Sequence, residues 1–205
     1  LYCPIMDAPR ETVAYDDAVE TVMAALSPLG PQYVETLRQA VSSRWIDVFE
    51  TRDKRSGAYS WGSYLSHPYL LLNYNGTPHD RSTLAHELGH AMHSWYTTKH
   101  QPAVYADYAT FCAEVASTVN EVLLAHYLME HAESVDGRLA ILLDQIESIR
   151  TTVFRQTLFA EYERAIHVYA EAGNPLTADW LCETYAAMVR KYYGPKLVLD
   201  ECASA

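Results

Sequence analysis

One stretch constrains this chain more than any other: Thr83-Leu84-Ala85-His86-Glu87-Leu88-Gly89-His90-Ala91-Met92-His93. His86 and His90 stand four residues apart with Glu87 between them, the pattern H-E-x-x-H. On a helix that spacing sends both imidazoles from one face, one turn apart, so both can close on one metal ion. Glu87 sits about 100° round the helix from His86, able to reach a water on that metal without being a ligand. Leu84, Leu88, Ala91 and Trp95 follow i, i+4, i+7, i+11 spacing on the opposite side. The pattern predicts a helix clamped by a core on one side and carrying a metal on the other.

Zinc in a hydrolytic site takes three protein groups and a water, so two histidines leave it one short. The longer pattern H-E-x-x-H-x-x-G-x-x-H is excluded, because the tenth residue after His86 is Tyr96. His93 shares the histidine face, but it lies about 10 Å along the axis from His86. A straight helix cannot bring all three imidazoles to one tetrahedral ion, so His93 is expected on the substrate side or in a hydrogen bond. Glu114 fits instead. From His90 the helix covers roughly 13 Å before the turn at Pro102, and a helix returning from about Asp107 needs roughly 11 Å to bring Glu114 level. An antiparallel helix pair thus places a carboxylate beside the histidines. Glu121 falls on nearly the same face seven residues on and could orient a ligand from behind, as could Thr118 or Ser117.

The rest of the chain reads as mainly α with one small sheet. Residues 1–13 carry two prolines and form an extended lead-in. Amphipathic patterns predict helices over Tyr15–Leu26 and Gln32–Val48, followed by a polar loop from Glu50 to Gly57. Gly57-Ala58-Tyr59-Ser60-Trp61-Gly62 reads as a packed turn or as a place where substrate main chain approaches closely. Tyr69 to Tyr74 is the best strand, ended by Asn75-Gly76-Thr77-Pro78, and its free edge is expected to hold an extended peptide beside the metal. Asp80 or Ser82 is the expected cap of the metal helix, which runs to about Lys99. Further helices are predicted over Asp107–Met129 and Val135–Glu171, with a last one opened by Thr177 or Asp179 and closed by Gly194-Pro195.

Length and composition narrow the function. A chain of 205 residues, 49% of them hydrophobic, can bury one core, and residues 1–205 read as a single domain or a large piece of one. A net charge of −11 argues against nucleic acid or an anionic membrane as partner. No apolar run approaches membrane-spanning length, and no signal-peptide pattern follows Leu1. Cys3, Cys112, Cys182 and Cys202 lack C-x-x-C spacing, which suits thiols in a reducing cytosol better than disulfides. The expected location is cytoplasmic.

Two segments at their observed separation, Thr83-Leu-Ala-His86-Glu87-Leu-Gly-His90-Ala-Met-His93-Ser and Phe111-Cys-Ala-Glu114-Val-Ala-Ser-Thr-Val-Asn-Glu121, closely resemble the oligoendopeptidase F group of the thimet-oligopeptidase-like (M3) zinc peptidases. Lys54-Arg-Ser-Gly57-Ala-Tyr59-Ser-Trp61-Gly and His67-Pro-Tyr-Leu-Leu-Leu-Asn73-Tyr are similar to that family's segments ahead of the motif. The resemblance implies a zincin-like catalytic domain, one zinc ion held by His86, His90 and Glu114, Glu87 as base, and oligopeptide substrates. It also implies that the family's N-terminal helical lobe and C-terminal His- and Tyr-rich segment fall outside residues 1–205.

The expected reaction is peptide hydrolysis, with Glu87 taking a proton from the metal's water and passing it to the leaving amine. A di-iron helical bundle is disfavoured, because only one Glu-x-x-His, Glu87 to His90, is present. A catalytically weak or inactive piece acting as a structural zinc-binding helical domain is the rival reading. An open coordination position taken by water separates the first reading from the rival, which needs a fourth protein ligand.

Overall fold

The computed structural model describes residues 11–199, which form seven α-helices and a three-stranded sheet. The proline-bearing lead-in lies largely outside the described residues, and Cys3 and Cys202 lie wholly outside them. The chain divides into two compact units after Ile141.

In the first unit, helices α1 (Tyr15–Ala25) and α2 (Pro31–Ser42) lead into strands β1 (Ile46–Asp47), β2 (Tyr59–Trp61) and β3 (Tyr69–Leu71). Helix α2 ends earlier than its amphipathic pattern predicts. Arg44 turns the chain with φ of 63°, Trp45 drops into the core at 2% exposure, and Ile46 and Asp47 pair with Leu70 and Leu71. Tertiary pairing overrides the helical period there, and β1 is an element the sequence pattern missed.

The sheet runs β1-β3-β2, with β1 parallel to β3 and β2 antiparallel to it. β3 is therefore the central strand. The expectation that its own edge is open to a peptide is corrected: β1 and β2 occupy both sides, so among the described residues the outer edges of the sheet belong to β1 and β2.

Helix α3 (Pro78–His100) carries the metal motif. Its cap is Thr77, not Asp80 or Ser82. Thr77 Oγ1 accepts from the Asp80 amide at 3.1 Å, while Asp80 Oδ2 accepts from the Thr77 amide at 2.9 Å. Pro78 occupies the first helical position, where no amide is needed, so Asp80 becomes the third residue of a capping box. Leu84, Ala85, Leu88, Ala91 and Met92 form the buried face, and Trp95 packs on Trp45 with ring centroids 4.9 Å apart. The helix stops ahead of Gln101-Pro102, since the residue before proline is pushed out of helical geometry.

Helix α4 (Thr110–His131) starts three residues later than predicted, because Ala109 is extended. It returns antiparallel along α3: Ala85 meets Asn120, His86 meets Glu121, Gly89 meets Ala116 and Ser117, and Ser94 meets Tyr108. Gly89 makes the approach possible. A Cβ there would lie 2.7 Å from both the Ala116 carbonyl oxygen and Ser117 Cα.

The long helix expected over Val135–Glu171 is α5 (Val135–Ile149), a π turn at Arg150–Phe154 and α6 (Arg155–Glu171), with no loop between them. Apolar periodicity does not resolve the wider turn. In the second unit α6 packs on α7 (Ala178–Tyr193), which Thr177 caps by accepting from the Trp180 amide at 3.3 Å.

Candidate active site

The antiparallel seam brings three donors together. His86 Nε2 and His90 Nε2 are 3.1 Å apart, and Glu114 Oε2 lies 3.7 Å from the first and 3.6 Å from the second. One ligand atom from each of the three lies within 4.8 Å of the others, so the group could hold a metal ion. Two imidazole nitrogens facing one another beside a carboxylate oxygen suit zinc, whose protein ligands are of these types.

Each donor is held by a neighbour. His86 Nδ1 donates to Glu121 Oε1 at 2.8 Å, which leaves the Nε2 lone pair aimed at the cluster. Burial works against protonating His86, but the hydrogen bond and charge of Glu121, together with the charges of Glu87 and Glu114, outweigh it and hold its pKa above the usual imidazole value. Burial, together with the adjacent His86, lowers the pKa of His90. Ser117 is fully buried, and its Oγ donates to Glu114 Oε2 at 2.8 Å.

Glu87 differs from all of them. It is 6% exposed, and its Oε2 is buried without a hydrogen-bond partner. Burial pushes its carboxyl up to about 7; His86 opposes that rise, and the charges of Glu114 and Glu121 add to it. A carboxyl so placed can take or give a proton near neutral pH.

The remaining expected residues are spread more widely. His93 is outside the donor group: its ring stacks on Tyr108 at 3.9 Å and 15°, and its Nδ1 is buried without a partner. Thr118 bonds the main-chain oxygens of Glu114 and Val115, so its hydroxyl serves the helix itself while Ser117 faces the carboxylate. Gly57, Ala58 and Tyr59 lead into β2, where the Gly57 carbonyl accepts from Asn73 Nδ2 at 2.8 Å. Tyr59 opens the edge strand and Gly57 and Ala58 precede it, and β2 packs on α3 so closely that a Cβ on the following Gly62 would meet Ser94 Cβ at 2.7 Å.

Sequence reasoning passed over Asn120. It is 1% exposed, donates to the Ala85 carbonyl at 3.0 Å and accepts from Tyr33 at 3.1 Å. A polar residue inside the apolar run of α4, one turn-face away from Glu121, was the available signal.

The sequence pattern of Peptidase family M3 matches residues 8–205. The chain belongs to peptidase family M3. Among other M3 relatives, it is 44% identical over 201 residues to Oligopeptidase PepF of Bacillus subtilis, covering 98% of this chain and 30% of that protein. It is 44% identical over 194 residues to Group B oligopeptidase PepB of Streptococcus agalactiae, covering 95% of this chain and 32% of that one. A crystal structure of a Chlamydophila abortus peptidase superposes with a TM-score of 0.78 at 44% identity, over 95% of this chain and 33% of that chain. This M3 chain thus spans about a third of the length of the curated relatives it matches. Among its described residues no helix is long and apolar enough to cross a membrane.

Proposed function

We propose that this chain is the zinc-holding, hydrolytic part of an M3 oligopeptidase, with His86, His90 and Glu114 as ligands and Glu87 as general base. One observation carries the reading: three zinc-type donors converge beside a buried carboxyl with a partnerless oxygen. Among the described residues the group holds three donors, the number that suits a catalytic zinc and not a closed structural one, which takes four.

Zinc at these donors supplies a Lewis acid and a water acidified towards neutrality. Glu87 Oε2 removes a proton from the attacking water as the new C–O bond forms at the scissile carbonyl. The same oxygen then gives that proton to the amine as the C–N bond breaks. Positioned proton transfer of this kind contributes roughly 10²–10⁴ in rate. Glu121 and Ser117 hold His86 and Glu114 throughout, so the donors need no reorganisation.

The substrate class follows from the sheet. β2 offers main-chain groups along an open edge beside α3, and an extended peptide can add there as a further strand. Folded proteins seldom present such a stretch, so short flexible peptides are the substrates. The oligopeptidase names of the relatives support this reading.

The test separates metal binding from chemistry. Glu87→Gln keeps roughly stoichiometric zinc and loses hydrolysis of a fluorogenic peptide, whereas Glu114→Ala loses zinc. Equal zinc loss in both variants overturns the role assignment.

A further inference from the structure

Strand β2 has two unlike faces. Ser60 pairs with Leu70, which is 2% exposed, and its Oγ is buried on that inner side. Tyr59 and Trp61 stand on the other side, 46% and 72% exposed, as strand alternation requires. Across the ladder Trp61 lies opposite Tyr69, itself 50% exposed, and Tyr59 lies opposite Leu71. Three aromatic rings therefore stand on the solvent side of a sheet whose other side is in the core.

Of the three rings, Tyr69 is braced by neighbouring rings. His67 sits against Tyr69 with ring centroids 4.4 Å apart and stacks on buried Trp45 at 5.2 Å and 3°. The inner side of β2 is crowded instead: Gly62, which shares that side with Ser60, has no room for a Cβ against Ser94.

We propose that Trp61 and Tyr59 set side-chain preference, taking aromatic or large apolar side chains from alternate residues of the bound peptide. This rests on the reading that the peptide main chain pairs with β2. A strand added at that edge continues the pleat, so its residues opposite Tyr59 and Trp61 project onto the aromatic side. Directly opposed Cβ atoms in such a pair are about 4.5–5.5 Å apart, close enough for ring contact. The residue between them projects towards α3, where space is short. The preferred substrate pattern is large, small, large.

The experiment uses ten-residue peptides that differ at three consecutive positions, cleaved by the chain and by its Trp61→Ala, Tyr59→Ala and Trp61→Phe variants. The parent prefers large side chains at the outer two positions and a small one between. Trp61→Ala loses about 3- to 10-fold in kcat/KM for large side chains at one outer position only, and Tyr59→Ala at the other. Trp61→Phe keeps the preference. An unchanged ranking in both alanine variants, or a uniform loss across all peptides, overturns the inference.

A calorimetric titration of the Glu87→Gln variant with the same peptides separates this inference from the hydrolytic reading. Binding with the alternating preference but no cleavage by the parent keeps this inference and removes the hydrolytic reading. Cleavage with an unchanged ranking does the reverse. Neither binding nor cleavage overturns both.

Discussion

His86 and Glu121 sit on different helices, 35 residues apart, yet the imidazole Nδ1 of one lies 2.8 Å from the carboxylate of the other. That bond fixes which nitrogen of His86 carries the proton and so which one faces Glu114. Removing it frees the ring to turn. Glu121→Ala is expected to weaken zinc binding about 10- to 100-fold, the usual cost of losing a carboxylate behind a ligating histidine. Glu121→Gln, which keeps an acceptor oxygen, loses less. Competition against a chromophoric chelator measures both; equal affinity for parent and Glu121→Ala refutes the orienting role.

Gly89→Ala pits helix propensity against packing. Alanine favours a helix interior by about 1 kcal/mol over glycine. Here its Cβ would strike backbone atoms of Ala116 and Ser117 at 2.7 Å, and backbone cannot swing aside. The substitution is expected to cost about 1–3 kcal/mol net, and to weaken zinc binding because Ser117 holds Glu114. Urea unfolding and zinc titration read the two effects. A stabilised variant would mean that α3 and α4 can separate without loss.

Zinc should also stabilise the fold, because its donors come from two helices and exist as a set only in the folded chain. At a hundredfold excess over Kd a ligand of the native state adds about 2.7 kcal/mol. Tm is expected to rise on adding zinc to the metal-free chain and to fall again with a chelator. In Glu114→Ala the shift should largely vanish. An equal shift in both proteins would place the ion elsewhere.

The capping box at the start of α3 gives a contrasting case. Thr77→Ala removes the acceptor for the Asp80 amide, at an expected cost of about 1 kcal/mol. Zinc stoichiometry should hold, because His86 lies more than two turns into the helix. Loss of metal in the folded variant would show that the helix start and the donors are coupled.

The sequence by itself determined whatever depends on local geometry. The H-E-x-x-H spacing puts His86 and His90 on one helix face, since 3.6 residues make a turn whatever surrounds it. Counting along the chain to the Pro102 turn and back was enough to place Glu114 level with them, because two helices joined by a short turn run antiparallel. Glu121 follows from the same period.

Only the tertiary structure decided what depends on neighbours distant in sequence. Residues 45–48 could continue a helix by pattern, and they leave it because Leu70 and Leu72 offer a ladder. Whether β3 is a central or an outer strand is a matter of strand order, which an apolar run cannot encode. Ser117 and Thr118 are adjacent and chemically alike, and about 100° of helix rotation alone makes Ser117 the residue that reaches Glu114. The raised pKa of Glu87 comes chiefly from the protein packed around it, and burial is a property of the assembled fold.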